Sequence, residues 1–217
     1  TTFSMPNCIS YMLVQENEIL VKNIRTIKNN YNLINMSDFT EEQALKMEKA
    51  LDHFLVKLED NKPGIRFNGF KLRDLKTGRV FHEYYPADPY ELDYFADHML
   101  DYPFPNEILK GQKQLGTSLK LVVGNQLVKN LVLLERHYIG GKLAANFRFP
   151  FPVFIPNSEN AVEFIYEIPK LSPEVEAKLE KGEDIHAESD TFVFVEGKLV
   201  VHRRAKYTYY DEKNEQK

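Results

Sequence analysis

The sequence contains a single cysteine, Cys8, and no tryptophan among its 217 residues. One thiol excludes an intramolecular disulfide and a cluster of thiolate metal ligands, and it favours a reducing compartment such as the cytosol. Low-complexity bias of the kind that marks disorder is also absent, while 43% of the residues are hydrophobic. We therefore expect a packed fold, located in the cytoplasm.

The sequence also lacks long apolar runs and an excess of basic charge. No run approaches the roughly 18 apolar residues that a membrane span needs, and no basic flank precedes an apolar segment at the N-terminus. The net charge of -4 gives no positive field of the kind that phosphate backbones attract. These absences predict no integral membrane insertion and no nucleic-acid partner.

The first third of the chain shows the apolar spacing of helices. Apolar residues three and four apart predict a short amphipathic helix over Asn17–Ile34. A second helix is predicted to begin after Thr40, a capping side chain with Gln43 at the capping-box position, and to end before Pro63. Together they make up a predicted N-terminal helical extension over residues 1–62.

From Phe67 onward the apolar period changes to two, the period of β-strands. Two alternating runs around Gly78 predict a hairpin over residues 70–84, and the proline-containing residues 87–105 predict a long connection. Glycine turns separate further alternating runs, which predict strands over residues 107–110, 115–123, 127–139, 142–155, 161–168, 191–195 and 198–209, with a short helix over 172–181. Many strands without alternating helices predict an antiparallel β-sandwich over residues 63–217.

Glu135 and His137 are the residues most suggestive of catalysis. Residues two apart on a strand share a face, so this carboxylate and imidazole could form an acid/base pair. Such a pair needs a nucleophile or a metal, and the sequence contains no nucleophile-elbow, zinc-protease or phosphate-loop motif. Its six histidines are scattered without metal-ligand spacing. We expect no enzyme activity, no metal site and no cofactor.

Two further segments allow more than one interpretation. Aromatic residues alternate with prolines between Phe147 and Pro156, which fits either an edge strand with a bulge over an ordinary core or a strand whose side chains line a cavity. The basic residues Arg203, Arg204 and Lys206 are too few for a nucleic-acid surface. The simplest interpretation of this basic cluster is a solvated strand face.

Several motifs follow one another in the order found in a known family. They resemble the PDE-delta superfamily, on the branch of the uncoordinated-protein lipid chaperones, over about Phe39 to Tyr210. The motifs are Val123-Gly124-Asn125, Leu134-Glu135-Arg136-His137-Tyr138, Phe154-Ile155-Pro156-Asn157-Ser158, Ile165-Tyr166-Glu167-Ile168-Pro169, Ser189-Asp190-Thr191-Phe192-Val193-Phe194-Val195 and Leu199-Val200-Val201-His202. The resemblance implies an all-β fold, an immunoglobulin-like antiparallel β-sandwich with an N-terminal helical extension, whose sheets part to form a lipid tunnel.

The resemblance also implies partners. On the uncoordinated branch the cargo is an N-terminally myristoylated protein, and on the PDE-delta branch it is a prenylated one. A GTP-bound Arf-like small GTPase docks on the outside and promotes release. This would make the protein a lipid-binding chaperone that serves membrane or ciliary trafficking, in the cytoplasm and in a cilium or flagellum. A prenyl-binding carrier of the same fold, and an adaptor sandwich that binds no lipid, remain alternatives.

The expected cargo-binding residues fall into two groups. Tyr102, Glu135, His137 and Tyr166 match positions that line the family's pocket or contact the first peptide groups of the cargo. The candidates for an apolar lining are Leu119, Leu121, Leu131, Phe149 and Phe151. The sequence departs from the family pattern at Phe151-Pro152-Val153. It departs again at Val193, a position where the myristoyl-binding branch has an aromatic residue. Both differences affect the expected shape of the pocket.

Overall fold

A computed structural model describes residues 39–86, 98–111 and 114–213 of the chain, and these residues form two packed β-sheets. The strands are β1 (Arg66–Asp74), β2 (Val80–Tyr84), β3 (Leu100–Pro105), β4 (Gln114–Val122), β5 (Val128–Ile139), β6 (Lys142–Phe154), β7 (Glu159–Glu167), β8 (Ile185–Val195) and β9 (Lys198–Tyr210). One sheet has the order β2-β1-β4-β7, and the other has the order β3-β9-β8-β5-β6. Within the described residues every strand pair is antiparallel except β3 with β9. The predicted all-β, immunoglobulin-like sandwich is confirmed.

Alternation along the strands decides which side chains fill the space between the sheets. On β5, Leu131 and Leu133 point into the main core, where they meet Leu121 of β4 and Val193 of β8. Leu134, the residue after Leu133, points to the opposite face and is nevertheless fully buried. β5 is thus covered on both faces, because the other sheet packs over one face and residues of the 39–56 region pack over the other.

The predicted strand over residues 107–110 is wrong. Residues Asn106–Leu109 form a 3₁₀ turn, and the strand is β3, inside the segment predicted to be a connection. Pro103 and Pro105 hid this strand, because proline cannot donate a ladder hydrogen bond. In the described part of the sheet β3 is an edge strand that pairs with β9, and at an edge the missing N–H groups are tolerated.

β6 is an edge strand as well, as one interpretation of the aromatic and proline segment predicted, and Phe147 of that segment lines a cavity, as the other predicted. Its register irregularity lies opposite His137 and Tyr138 of β5, and not within that segment. Short helix α2 (Pro173–Lys181) was predicted within one residue, with Ser172 as its capping side chain. Within the described residues no helix is long and apolar enough to span a membrane.

The second predicted helix is much shorter than expected. It begins with the predicted capping box at Thr40 and Gln43 but forms only α1 (Glu41–Leu45), with a separate 3₁₀ turn over Leu58–Asp60. The predicted helix over Asn17–Ile34 lies outside the described residues, and the domain boundary after residue 62 stays a prediction.

The residues that follow α1, 46–57, form a segment that lies on the outer face of the five-stranded sheet; we call it the docked segment. Four of its backbone groups bond to buried side chains of the sheet. Leu51 N–H donates to Asp190 Oδ2 over 2.9 Å, and Leu55 N–H donates to His202 Nδ1 over 3.0 Å. The guanidinium groups of Arg136 and Arg204 donate to the carbonyls of Met47 and Leu51. These bonds satisfy backbone groups that would have bonded to one another in the longer helix predicted from the sequence.

The prediction that Arg203 and Arg204 lie on a solvated strand face is also wrong. Their exposed fractions are 7% and 9%, and only Lys206 of this basic cluster is exposed. Successive residues of β9 point to opposite faces, so Arg204 reaches the docked segment and Arg203 points between the sheets. Both faces of β9 are covered, which strand alternation alone does not reveal.

We expect the docked segment to make stability depend on pH. Burial lowers the pKa of His202 below its ordinary value, and hydrogen bonding to Asp190 opposes this only in part, while Arg204 and His53 act in the same direction as burial. As the pH falls through the ordinary histidine value of about 6.5, the unfolded chain gains a proton that the folded state resists, so stability is lost. Urea unfolding should therefore give a smaller free energy at pH 5.0 than at pH 7.5.

His202→Asn tests the assignment, because the amide oxygen can still accept from Leu55 N–H but does not titrate. Burial also lowers the pKa of His82, so part of the pH dependence should remain in this variant. We expect the variant to show a smaller loss of stability between pH 7.5 and 5.0 than the unmodified protein. An equal loss in both proteins would show that His202 is not responsible.

Candidate functional site

A cavity of about 500 Å³, the larger cavity, lies between the two sheets. Its volume falls within the range of roughly 300–1,000 Å³ that is usual for small-molecule sites. Both sheets contribute its walls, which are mainly apolar, and the apolar and aromatic wall residues include Phe67, Phe70, Leu119, Leu133, Phe164 and Ala205. An elongated apolar ligand suits a space of this size and lining.

A row of three polar side chains crosses one wall of the larger cavity. The strand register places Glu135 of β5 opposite Thr191 of β8, and Thr191 opposite Arg203 of β9. All three line the cavity; we call them the polar row. Neighbouring strands lie about 4.8 Å apart, so the backbones of Glu135 and Arg203 are separated by about 10 Å. Thr191 Oγ1 donates to Glu135 Oε1 over 3.4 Å, and the Arg203 guanidinium lies 4.8 Å from the centre of the Phe67 ring.

A smaller cavity of about 80 Å³ shares wall residues with the larger one, among them Glu135, Thr117 and Tyr207. Its lining also includes His137, whose Nε2 lies 3.8 Å from Glu135 Oε2, and Tyr166. Hydroxyl pairs stiffen these walls: Thr117 Oγ1 and Tyr166 OH are 2.9 Å apart, and Ser189 Oγ and Tyr207 OH are 2.8 Å apart. Glu135 therefore stands where the two cavities meet.

Burial raises the pKa values of the tyrosines around Glu135. Burial raises the pKa of Tyr102 to about 12, and the negative charge of Glu135 adds to the effect. The pKa values of Tyr166 and Tyr207 are raised for the same two reasons. Tyrosine is already neutral at physiological pH at its ordinary pKa of about 10, and these increases keep it so, so the hydroxyls can donate hydrogen bonds.

The Arg203 guanidinium experiences the opposite effect. Burial lowers its pKa to about 9, because a low-dielectric environment disfavours the charged form. That value still leaves the side chain cationic at neutral pH. The polar row thus presents a carboxylate at one end, a hydroxyl in the middle and a cation at the other end.

Five of the nine predicted cargo-binding residues line the cavities. Tyr102, Leu119 and Glu135 line the larger cavity, and Glu135, His137 and Tyr166 line the smaller one. Their roles toward a ligand remain predictions.

The other four predicted residues belong to the packed interior beside the cavities. Leu121 and Leu131 have exposed fractions of 1% and 0% and lie in the main core. Phe149 and Phe151 pack against that core, and the ring centre of Phe149 is 4.0 Å from that of Phe164. Phe164 itself lines the larger cavity, so Phe149 and Phe151 support its wall from behind.

Sequence reasoning missed several cavity residues, and only some of them left a signal. Leu133 lies two residues before Glu135 on the same strand face, so alternation alone could have identified it. Phe67 and Phe164 lie on strands whose register with the facing sheet the sequence does not specify. The charge of Arg203 predicted an exposed side chain, since charged residues are rarely buried. Among the described residues, no group of three or more histidine, cysteine, aspartate or glutamate side chains could hold a metal ion.

Comparison with known proteins gives consistent matches over most of the chain. The family model described as "GMP-PDE, delta subunit" matches residues 59–209. The chain is 36% identical over 185 residues to protein unc-119 homolog B-B of Xenopus laevis, covering 82% of this chain and 76% of the relative. It is 37% identical over 182 residues to protein unc-119 homolog B of Danio rerio, covering 79% and 74%. It is 34% identical over 190 residues to protein unc-119 homolog B of Homo sapiens, covering 82% and 74%.

Proposed function

Because the chain belongs to the GMP-PDE delta subunit family, on the side of the unc-119 proteins, a family of lipid-binding carriers, we propose that it carries lipid-modified proteins by burying their lipid tails between its sheets. The observation that supports this most is the mainly apolar cavity of about 500 Å³. Burial of about a dozen methylenes at roughly 0.8 kcal/mol each gives a gross gain near 10 kcal/mol before ordering costs. Affinity in the nanomolar to micromolar range is then reachable with a few polar contacts.

The cargo we propose is an N-terminally myristoylated protein. An acylated N-terminus places an amide directly after the hydrocarbon chain, and an amide both donates and accepts hydrogen bonds. Glu135 can accept from an amide N–H, and the neutral hydroxyls of Tyr102 and Tyr166 can donate to peptide carbonyls. Glu135 lines both cavities, Tyr102 the larger one and Tyr166 the smaller one, an arrangement that suits the junction between tail and peptide. We place this activity in the cytoplasm and in a cilium or flagellum.

A tightly held tail requires a release mechanism, and we propose that a GTP-bound Arf-like small GTPase provides it. A GTPase that bound the empty carrier about a hundredfold better than the loaded one would supply about 2.7 kcal/mol of coupling, and cargo would weaken GTPase binding equally. In the described part of the sheets, β2, β7, β3 and β6 are the edge strands. Strand addition at one of these edges is the docking mode we favour.

Glu135 and His137 act in this proposal as binding groups and not as catalysts. They share a strand face as the sequence predicted, but an acid/base pair alone does not complete a catalytic site. Glu135→Gln should change the affinity for cargo. Neither this variant nor the unmodified protein should convert the cargo to a product.

A panel of lipidated peptides tests the proposal. One peptide sequence is prepared with an N-terminal myristoyl group, with a C-terminal farnesyl group and without lipid, and binding is measured by fluorescence anisotropy. We expect saturable binding of the myristoylated peptide, at least about a hundredfold tighter than that of the unmodified one, because most of the affinity comes from the buried tail.

The panel also separates the alternatives. Preferential binding of the farnesylated peptide would favour a prenyl carrier of the same fold. Equal affinity for all three forms would favour an adaptor that uses its surface, for which the exposed Leu127, Val153 and Ile155 provide apolar contacts. Either result would contradict a myristoyl carrier.

A further inference from the structure

Arg203 is an unusual wall residue for a cavity that holds only a hydrocarbon tail. It lies on β9, its guanidinium is 4.8 Å from the centre of the Phe67 ring, and both residues line the larger cavity. Its exposed fraction is 7%, so the charge is removed from bulk water. An electrostatic interaction is stronger in such surroundings than at the surface.

The chemistry of the guanidinium limits the ligand group that it fits. The group is planar, carries five N–H donors and accepts no hydrogen bond, and its fork matches the two oxygens of a carboxylate. Arg203 also has an interaction within the protein. Because five donors are present, the side chain can keep that interaction and still donate to a ligand.

The remaining wall determines the rest of the ligand. Phe67, Leu119, Leu133 and Phe164 line the same cavity and offer apolar surface to a hydrocarbon chain. A ligand that complements this wall combines a long apolar chain with one anionic end. We propose that the cavity also binds free fatty acids, with the carboxylate held by Arg203 and the chain along the apolar wall. This inference rests on the proposed function only in requiring that the cavity admits a lipid tail.

Glu135 opposes this binding, and its position decides how strongly. It lies at the other end of the polar row, with its backbone about 10 Å from that of Arg203, across two strand spacings. A carboxylate in contact with Arg203 would lie about 3 Å from the cation and farther from Glu135. Coulomb energy falls with distance, so the attraction exceeds the repulsion. A fatty acid bound in this way would compete with acylated cargo for the same space.

Calorimetric titration of two ligands with equal chains tests the proposal. Dodecanoate carries the anionic end, and N-methyldodecanamide carries a neutral amide of the kind found in acylated cargo. We expect the unmodified protein at pH 7.5 to bind dodecanoate at least about tenfold tighter than the amide, since hydrogen bonds to charged groups are the stronger ones. Equal affinities, or a preference for the amide, would overturn the proposal.

Three variants assign the preference to Arg203. We expect Arg203→Gln to lose the preference while its amide affinity stays within about threefold, and Arg203→Lys to retain part of it because the charge remains. Lys206→Gln removes an equal charge from an exposed position of β9 and should leave the preference unchanged. Retention of the full preference in Arg203→Gln would overturn the proposal.

A measurement on the unmodified protein alone applies even if Arg203→Gln fails to fold. The carboxyl carbon of dodecanoate is labelled with ¹³C, and its chemical shift is followed against pH in the complex. A neighbouring guanidinium should lower the carboxyl pKa below that of the free acid, whereas an unchanged or raised pKa would overturn the proposal. Failure of both dodecyl ligands and of myristoylated peptide to bind would instead contradict the carrier function itself.

Discussion

Ala205→Phe should strongly weaken binding of a lipidated peptide while leaving the protein folded. Ala205 lies on β9, is 5% exposed and lines the larger cavity, so a phenyl group added there extends into the space that the tail would occupy. Loss of space for three or four methylenes at about 0.8 kcal/mol each corresponds to roughly a sixtyfold to two-hundredfold loss of affinity. Titration with a fluorescent myristoylated peptide measures the effect.

The matched control is Ala161→Phe, which makes the same change at an exposed position of β7. Its affinity should stay within about twofold of the unmodified protein. Circular dichroism melts verify that both variants are folded. Normal binding by folded Ala205→Phe would mean that the tail lies elsewhere, and a similar loss in both variants would point to a general effect of the aromatic group.

Asp190→Ala should be the most destabilising single change on the outer face of the five-stranded sheet. The Asp190 side chain is fully buried, accepts from Leu51 N–H and His202 Nε2, and lies 3.8 Å from the Arg204 Nε. Its removal leaves the Arg204 charge and the Leu51 N–H without their carboxylate. Loss of one partner from a buried pair costs about 3–5 kcal/mol, so we expect a loss of this size in urea unfolding at pH 7.5.

Asp184→Ala provides the control, because Asp184 is exposed just before β8. Its substitution should change the free energy of unfolding by less than about 0.5 kcal/mol. A loss below about 1 kcal/mol for Asp190→Ala would show that the docked segment contributes little to the fold.

Strand periodicity predicted most of the sandwich, because alternate residues of a central strand face opposite sides of the sheet and their polarity reflects each side's surroundings. β5 is an example, since both of its faces are partly apolar and it lies between β6 and β8. Two predicted elements were wrong, for different reasons. The helix predicted after α1 does not form because Asp190 and His202, which are distant in sequence, bond to its backbone. The strand β3 was missed because Pro103 and Pro105 are unusual in strands.

Strand alternation also predicted part of the candidate site. Glu135 and His137 could be placed on one face from their spacing alone, and the structure places them there. Leu121 and Leu131 were expected to line the tunnel but are packed in the core, because alternation identifies the inner face without showing where the sheets diverge. The burial of Arg203 depends on both sheets at once, and no local pattern specifies it.

The central claim, that a lipid tail lies between the sheets, is tested most directly by contacts between tail and protein. Nuclear Overhauser effects are measured between the tail of a bound myristoylated peptide and ¹³C-labelled leucine methyl groups. We predict contacts to Leu119 and Leu133, which line the larger cavity, and none to Leu127, which is 52% exposed. Contacts to Leu127 without contacts to Leu119 and Leu133 would contradict the account.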